Sequence, residues 1–123
     1  MTNQIQSSNV KKYDLEERTA VLGQNIIDFV RTLSKNSITN PLISQVVRAG
    51  TSIGANYMEA DASESKKDFL HKIGICKKES KETMHWLRMI AHAMPEKQNQ
   101  CRQLWKEAHE LLLIFSSIAK RKY

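Results

Sequence analysis

The stretch from Arg48 to Leu87, RAGTSIGANYMEADASESKKDFLHKIGICKKESKETMHWL, decides the fold. Its first part places Ala49, Ile53, Tyr57 and Ala60 three or four residues apart. Its last part repeats that spacing at Phe69, Ile73, Cys76, Ser80, Thr83 or Met84, and Leu87. This is the period of a helix with one buried face. Between the two parts lies DASES, a short polar turn in which Ser63 or Ser65 can cap the helix that follows. Two long helices joined by so short a turn must fold back on each other as an antiparallel pair.

Working outward, the same period appears on both flanks. Upstream, Asp14 and Glu17 form a capping-box pattern, and Leu15, Leu22, Ile26, Phe29, Val30 and Leu33 line a helix to about Leu33. SKNSITN is the connecting loop. Asn40-Pro41 then opens the next helix, with proline at the first helical position, where its missing amide costs nothing. Leu42 and Val46 extend the stripe that Ala49 continues. Downstream, the stripe of the third helix ends at Ala91 and Met94, and Met94-Pro95-Glu96 breaks the pattern. A fourth helix starts there, lined by Cys101, Leu104, Trp105, Ala108, Leu111, Leu112, Phe115, Ile118 and Ala119.

The chain therefore reads as an all-α protein, an antiparallel up-down-up-down four-helix bundle. Residues 13–120 form the bundle, 1–12 a flexible polar N-terminus and 121–123 a basic tail. Only four glycines and two prolines occur in 123 residues, which argues against a turn-rich β fold.

Composition removes several classes of function. No run approaches the roughly 20 apolar residues that span a bilayer, and MTNQIQSSNVKKYD lacks the apolar core of a secretion signal. A cytoplasmic protein with no membrane partner is expected. In an antiparallel pair turning near Pro95, the thiols of Cys76 and Cys101 sit roughly 20 Å apart, beyond disulfide reach. They read as small core residues.

Catalytic templates are missing: there is no GxSxG, no phosphate-cradling Gly-Lys-Ser/Thr loop, no HExxH and no CxxC. A di-iron bundle needs Glu-x-x-His from two helices. Glu82 with His85 gives one such motif and Asp68 with His71 a weak second, but both lie on one helix with the histidines outward. No catalytic residue, metal or cofactor is expected.

Four features remain. Gly50 and Gly54 lie one turn apart beside the core stripe of the second helix and allow close helix approach, within the subunit or between subunits. Gln45, Arg48, Ser52, Asn56 and Glu59 form a polar line at the edge of that stripe. With the turn centred near Ala62–Ser63, Arg48 comes level with Glu79. Arg48, Ser52, Asn56, Glu59 and Glu79 thus read as a structural polar seam, since pairing is how half-buried charges are tolerated.

On the third helix, about 200° from its core stripe, Lys67, His71, Gly74, Lys78, Lys81, His85, Arg88 and His92 make an outward face that is basic or neutral throughout. With a net charge of +6, this face is the candidate for contacting a polyanion, through Lys67, His71, Lys78, Lys81, His85 and Arg88. A solvated surface balanced by Asp68, Glu79 and Glu82 is the plainer alternative. Finally, LLLIF at 111–115 is apolar nearly all round its helix, which calls for a second buried side, such as a subunit interface.

The central stretch also resembles a bacterial four-helix-bundle family, the 23S rRNA intervening-sequence or S23 ribosomal proteins. The resemblance rests on Ser52, Ile53, Asn56 and Glu59, on Lys67, Asp68 and Phe69, and on Lys78, Glu79, Glu82, Trp86 and Leu87. Ala60-Asp61 departs from the glycine that many members have after the glutamate. The resemblance implies a homopentameric barrel. It is similar as well to the accessory proteins of diversity-generating retroelements, which implies RNA or DNA and a reverse transcriptase as partners. The expected function is that of a non-enzymatic, oligomeric nucleic-acid-binding accessory protein. The alternative is an oligomeric protein-interaction scaffold with no nucleic-acid binding.

Overall fold

The computed structural model describes residues 14–122. The expected flexible segment 1–12 lies outside the described residues. Four α-helices follow in order, with no strand among the described residues: α1 Leu15–Val30, α2 Thr39–Asp61, α3 Lys66–Ala93 and α4 Gln98–Lys122. A short 3-10 turn, Pro95–Lys97, separates α3 from α4. The helix runs through Lys122 and so carries α4 into the basic end of the chain.

Local chemistry sets the helix ends. Asp14 caps α1, its side chain accepting from the Glu17 amide at 3.3 Å, while Glu16 and Glu17 face the positive end of the helix dipole. α1 stops at Val30, short of the expected Leu33. The Thr32 and Leu33 amides there bond three residues back, to Phe29 and Val30, and the Thr32 hydroxyl also donates to the Phe29 carbonyl at 2.7 Å. Such bonds tighten and end a final turn. Leu33 nonetheless remains buried.

α2 begins at Thr39, two residues before Pro41. Asn36 is responsible. Its side-chain oxygen accepts from the Ile38 and Thr39 amides at 2.9 and 3.0 Å, while Thr39 Oγ1 accepts from the Asn36 amide at 3.0 Å. This reciprocal pair satisfies free amides of the first turn, so the proline falls inside that turn. Of the two serines in the next connection, Ser65 caps α3, accepting from the Asp68 amide at 3.0 Å. Ser63 instead donates to the Glu59 carbonyl.

Cross-helix pairs give the orientation. As residue numbers rise along α2 they fall along α3: Arg48 meets Glu79, the Ile53 carbonyl accepts from Cys76 Sγ, and Glu59 meets Lys72. Gly54 faces Thr19 and Gly50 faces Ile26, so α1 and α2 are antiparallel as well. Arg18 with Glu107 and Thr32 with Lys97 relate α1 to α4 in the same way. The bundle is the up-down-up-down arrangement that the periodicity predicts.

α3 is central, packing extensively on both α2 and α4. Among neighbouring helices α1 and α4 approach least closely, and a groove of about 720 Å³ runs between them. Two charge contacts bridge that side. Arg18 grips Glu107 with two hydrogen bonds of 2.9 and 3.1 Å and reaches Glu110 at 3.0 Å. The pair of hydrogen bonds to Glu107 raises the Arg18 pKa against the cost of partial burial.

The core contains Leu22, Ile26, Val46, Ile53, Ile73, Leu87, Leu111 and Phe115, all essentially inaccessible. Tyr57 tilts against Phe115 across the bundle diagonal, ring centres 6.1 Å apart. Of the alternatives Thr83 and Met84, Thr83 is the buried one. One assignment shifts relative to the periodic reading: Ile90 takes the interior position beside half-buried Ala91. Thr19, Ser80 and Thr83 enter the core because each hydroxyl donates to the carbonyl four residues back, at 2.7–2.8 Å. Cys76 and Cys101 are buried and free, and burial pushes their thiols up to about 12 and about 11. Neither forms the thiolate that a nucleophile needs at neutral pH.

Gly50 and Gly54 serve packing inside the subunit, against α1. A Cβ on Gly50 would overlap Ile26 Cδ1, and one on Gly54 would sit 3.1 Å from Thr19 Oγ1. Gly74, on the outward face of α3, has nothing near it. Gly74→Ala should therefore raise stability by about 0.5–1 kcal/mol, the ordinary helix-propensity gain. Gly50→Ala should lower it by about 1–2 kcal/mol, because buried Ile26 cannot swing clear without meeting the core. Urea denaturation of the two variants checks the opposite signs.

Candidate nucleic-acid interface and polar seam

The buried face of α3 determines what its other face can do. With Ile73, Cys76, Ser80, Thr83, Leu87 and Ile90 turned inward, the opposite side carries Lys67, His71, Gly74, Lys78, Lys81, His85, Arg88 and His92. All eight residues of this face are exposed to solvent. His85 rests edge-on against the neighbouring Trp86, ring centres 4.8 Å apart. Among the described residues, Lys67, Lys78, Lys81 and Arg88 have no carboxylate within ion-pair distance. The other histidine, His109 on α4, is half-buried and stacks on Trp105, ring centres 5.0 Å apart and planes 23° off parallel.

The polar seam has two cross-helix clamps. Arg48 Nη1 lies 3.3 and 3.4 Å from the two carboxylate oxygens of Glu79, and Nη2 bonds Glu82. Gln45 supports the guanidinium at 3.4 Å. The pair is asymmetric: the Glu79 side chain is only 8% exposed, whereas Arg48 is 48% exposed. Partial desolvation works against the guanidinium, and the two carboxylates more than offset it, so its pKa is raised.

At the other end of the seam, Lys72 pairs with Glu59 at 2.5 Å. Ser52 and Asn56 are not drawn across. The Ser52 hydroxyl donates to the Arg48 carbonyl at 2.6 Å and the Asn56 amide to the Ser52 carbonyl at 2.9 Å, both within α2.

The fold also assembles a trough that the α3 periodicity alone does not reveal. Between α3 and α4 lies a hollow of about 340 Å³, with Leu87, Ala91, Cys101 and Trp105 as its apolar lining and Arg88, Gln98, Arg102 and Lys106 as its polar lining. An adjoining hollow of about 440 Å³ shares Arg88, Ala91 and Gln98 and adds His92 and Pro95. No carboxylate lines either one. The signal was present in sequence as Cys101-Arg102 and Trp105-Lys106, an apolar–basic doublet repeated after one turn.

Four helices packed around one core, with a charged outer face, define a four-helix-bundle protein. The profile of the 23S rRNA-intervening sequence protein family matches residues 11–117, and the chain belongs to that family. The chain is also similar to a crystal structure, at 1.70 Å, of a protein of unknown function from the S23 ribosomal protein family of Bacteroides thetaiotaomicron. The two are 27% identical over 85% of this chain and 97% of the other, with a TM-score of 0.76. Comparison with curated proteins gives no match. No helix among the described residues is long and apolar enough to cross a membrane.

Removing Arg48 would leave the buried Glu79 carboxylate without its cross-helix partner. Arg48→Ala should cost about 1–3 kcal/mol, towards the lower end if water reaches the exposed side of the pair. Adding Glu79→Gln to that variant should restore part of the loss, because a neutral amide is cheaper to bury than a carboxylate. Thermal melting of the single and double variants measures both effects, and an Arg48→Ala curve identical to the parent's would show that the clamp adds no stability.

Proposed function

We propose that this chain is a non-enzymatic, oligomeric accessory protein of the cytoplasm that binds nucleic acid. One observation carries this reading, the partition of the basic residues. Arg18, Arg48 and Lys72, which point toward neighbouring helices, are paired with Glu107, Glu110, Glu79, Glu82 and Glu59. Lys67, Lys78, Lys81 and Arg88 share one outward face, and no carboxylate of the described residues pairs with them. Unneutralised cations repeated along a rigid helix suit a polyanion, whose phosphates release counterions on contact. The description of the family as 23S rRNA-intervening sequence proteins points toward RNA as the first nucleic acid to test.

The oligomer is supported by α4. Leu113 is 55% exposed, and Leu112 and Ile114 beside it are only half-buried. Ile114 packs partly on the core, whereas exposed Leu113 has no such place within the subunit and suits an interface between copies. A ring of five, which the family resemblance implies, would repeat the basic face around its circumference and add weak contacts as avidity. The same resemblance suggests a reverse transcriptase as protein partner. Mass measurement under native conditions should give a closed multimer at micromolar concentration, with a monomer overturning the ring.

Binding to RNA should weaken steeply as salt rises, and replacing Lys78, Lys81 and Arg88 together with glutamine should lower affinity. It should also flatten the plot of log affinity against log salt, by roughly 0.9 for each phosphate that is no longer neutralised. Fluorescence anisotropy across a salt series reads both quantities. A parent protein that binds no RNA or DNA at low salt would favour the interaction scaffold instead.

A further inference from the structure

We infer that the trough between α3 and α4 takes an unpaired nucleobase of a single-stranded nucleic acid, stacked on Trp105, with its flanking phosphates on Arg88, Arg102 and Lys106. The proposal rests on the nucleic-acid reading above and names the form of nucleic acid. The outward stripe of α3 by itself would serve duplex and single strand alike, since phosphates are common to both. The trough adds a different chemistry. Trp105 gives it an aromatic wall, Leu87 and Ala91 give it an apolar floor, and three exposed cations from two helices border it.

The indole is held before any ligand arrives. Trp105 is half-buried, and its ring is stacked against His109. A base entering the trough thus meets an indole that is already ordered, with less of the entropy cost of fixing a loose side chain. No carboxylate in the lining opposes a phosphate. Among the described residues, Arg88, Arg102 and Lys106 are in no ion pair that would have to break first. The volume of about 340 Å³ falls at the low end of the range for small-ligand sites, roughly 300–1,000 Å³. The adjoining hollow toward Pro95 continues the trough past Arg88 and His92, a path for the neighbouring nucleotide. A duplex cannot use the site, because its base faces are already stacked on one another.

The test compares a short fluorescein-labelled oligouridylate with a duplex RNA of equal length, using the full chain at one low salt concentration. The parent should bind the single strand more tightly. Trp105→Leu, which keeps an apolar side chain but has no π-face, should weaken single-strand binding by about tenfold or more and leave duplex binding unchanged. Trp105→Phe should retain most of the single-strand affinity. Arg102→Gln with Lys106→Gln should weaken the single strand while Trp105 is intact. If Trp105→Leu binds the single strand as the parent does, the stacking site is wrong, although nucleic-acid binding through the α3 face stands. If the parent binds neither probe, the broader function fails with it. If Trp105→Leu changes the native mass of the protein, the trough is covered by a second copy and the proposal is overturned.

Discussion

The burial of one carboxylate governs much of this bundle. Glu79 sits on the inward side of α3, between Cys76 and Ser80 on one turn and Thr83 on the next. A buried carboxylate is tolerated only with a cation close by, and Arg48 of α2 supplies it. That pairing couples the rotation of α3 to its register against α2. Turning α3 by one residue, about 100°, would expose Glu79 and bring a neighbouring lysine toward the core. The clamp at Glu59 and Lys72 repeats the constraint nearer the connecting turn. With rotation and register set, the opposite side of α3 has no choice but to present Lys67 through His92 to solvent.

Charge in this protein is therefore sorted by direction. Cations that face another helix close the bundle, most visibly at Arg18, where α1 and α4 pack thinly and Glu107 and Glu110 complete the join. Cations that face outward have no such role in folding. Mutual repulsion along the α3 face costs some stability and is relieved by counter-ions or by a polyanion, which is the electrostatic ground for proposing a contact there. The trough beside it differs in kind, because there the cations from two helices converge on an aromatic ring instead of a bare helix flank.

Backbone proximity supplies the second constraint. Gly50 and Gly54 let α1 lie close on α2, with Ile26 and Thr19 filling the places where a Cβ would stand. The face that small residues make available is thus used inside the subunit. On α4, Leu113 remains exposed, and it is the apolar surface on which the proposed contact between copies would fall. A small bundle has one core, and a helix apolar on more than one side has to satisfy the surplus elsewhere.

Much of the fold is legible in the chain alone, where the physics is local. Helix-period spacing places the four helices, and the capping chemistry of Asp14 depends on residues only three apart. An antiparallel turn of known length even puts Arg48 level with Glu79, since register follows from counting residues away from the turn. The start of α2 at Thr39 is not legible in the same way, because the reciprocal bonds with Asn36 compete with a proline signal that spacing alone favours. Ile90 and Ala91 are adjacent and both apolar, so only the final rotation of α3 decides which is buried. Arg18 and Glu107 lie 89 residues apart, and Trp105 and Arg88 line one hollow only because two helices meet there. Sequence by itself determined which helices form and which face of each is apolar, because those follow from short-range periodicity. Tertiary structure alone decided which cations remain unpaired and which aromatic ring they surround, because that depends on how four separately formed helices rotate and settle against one another.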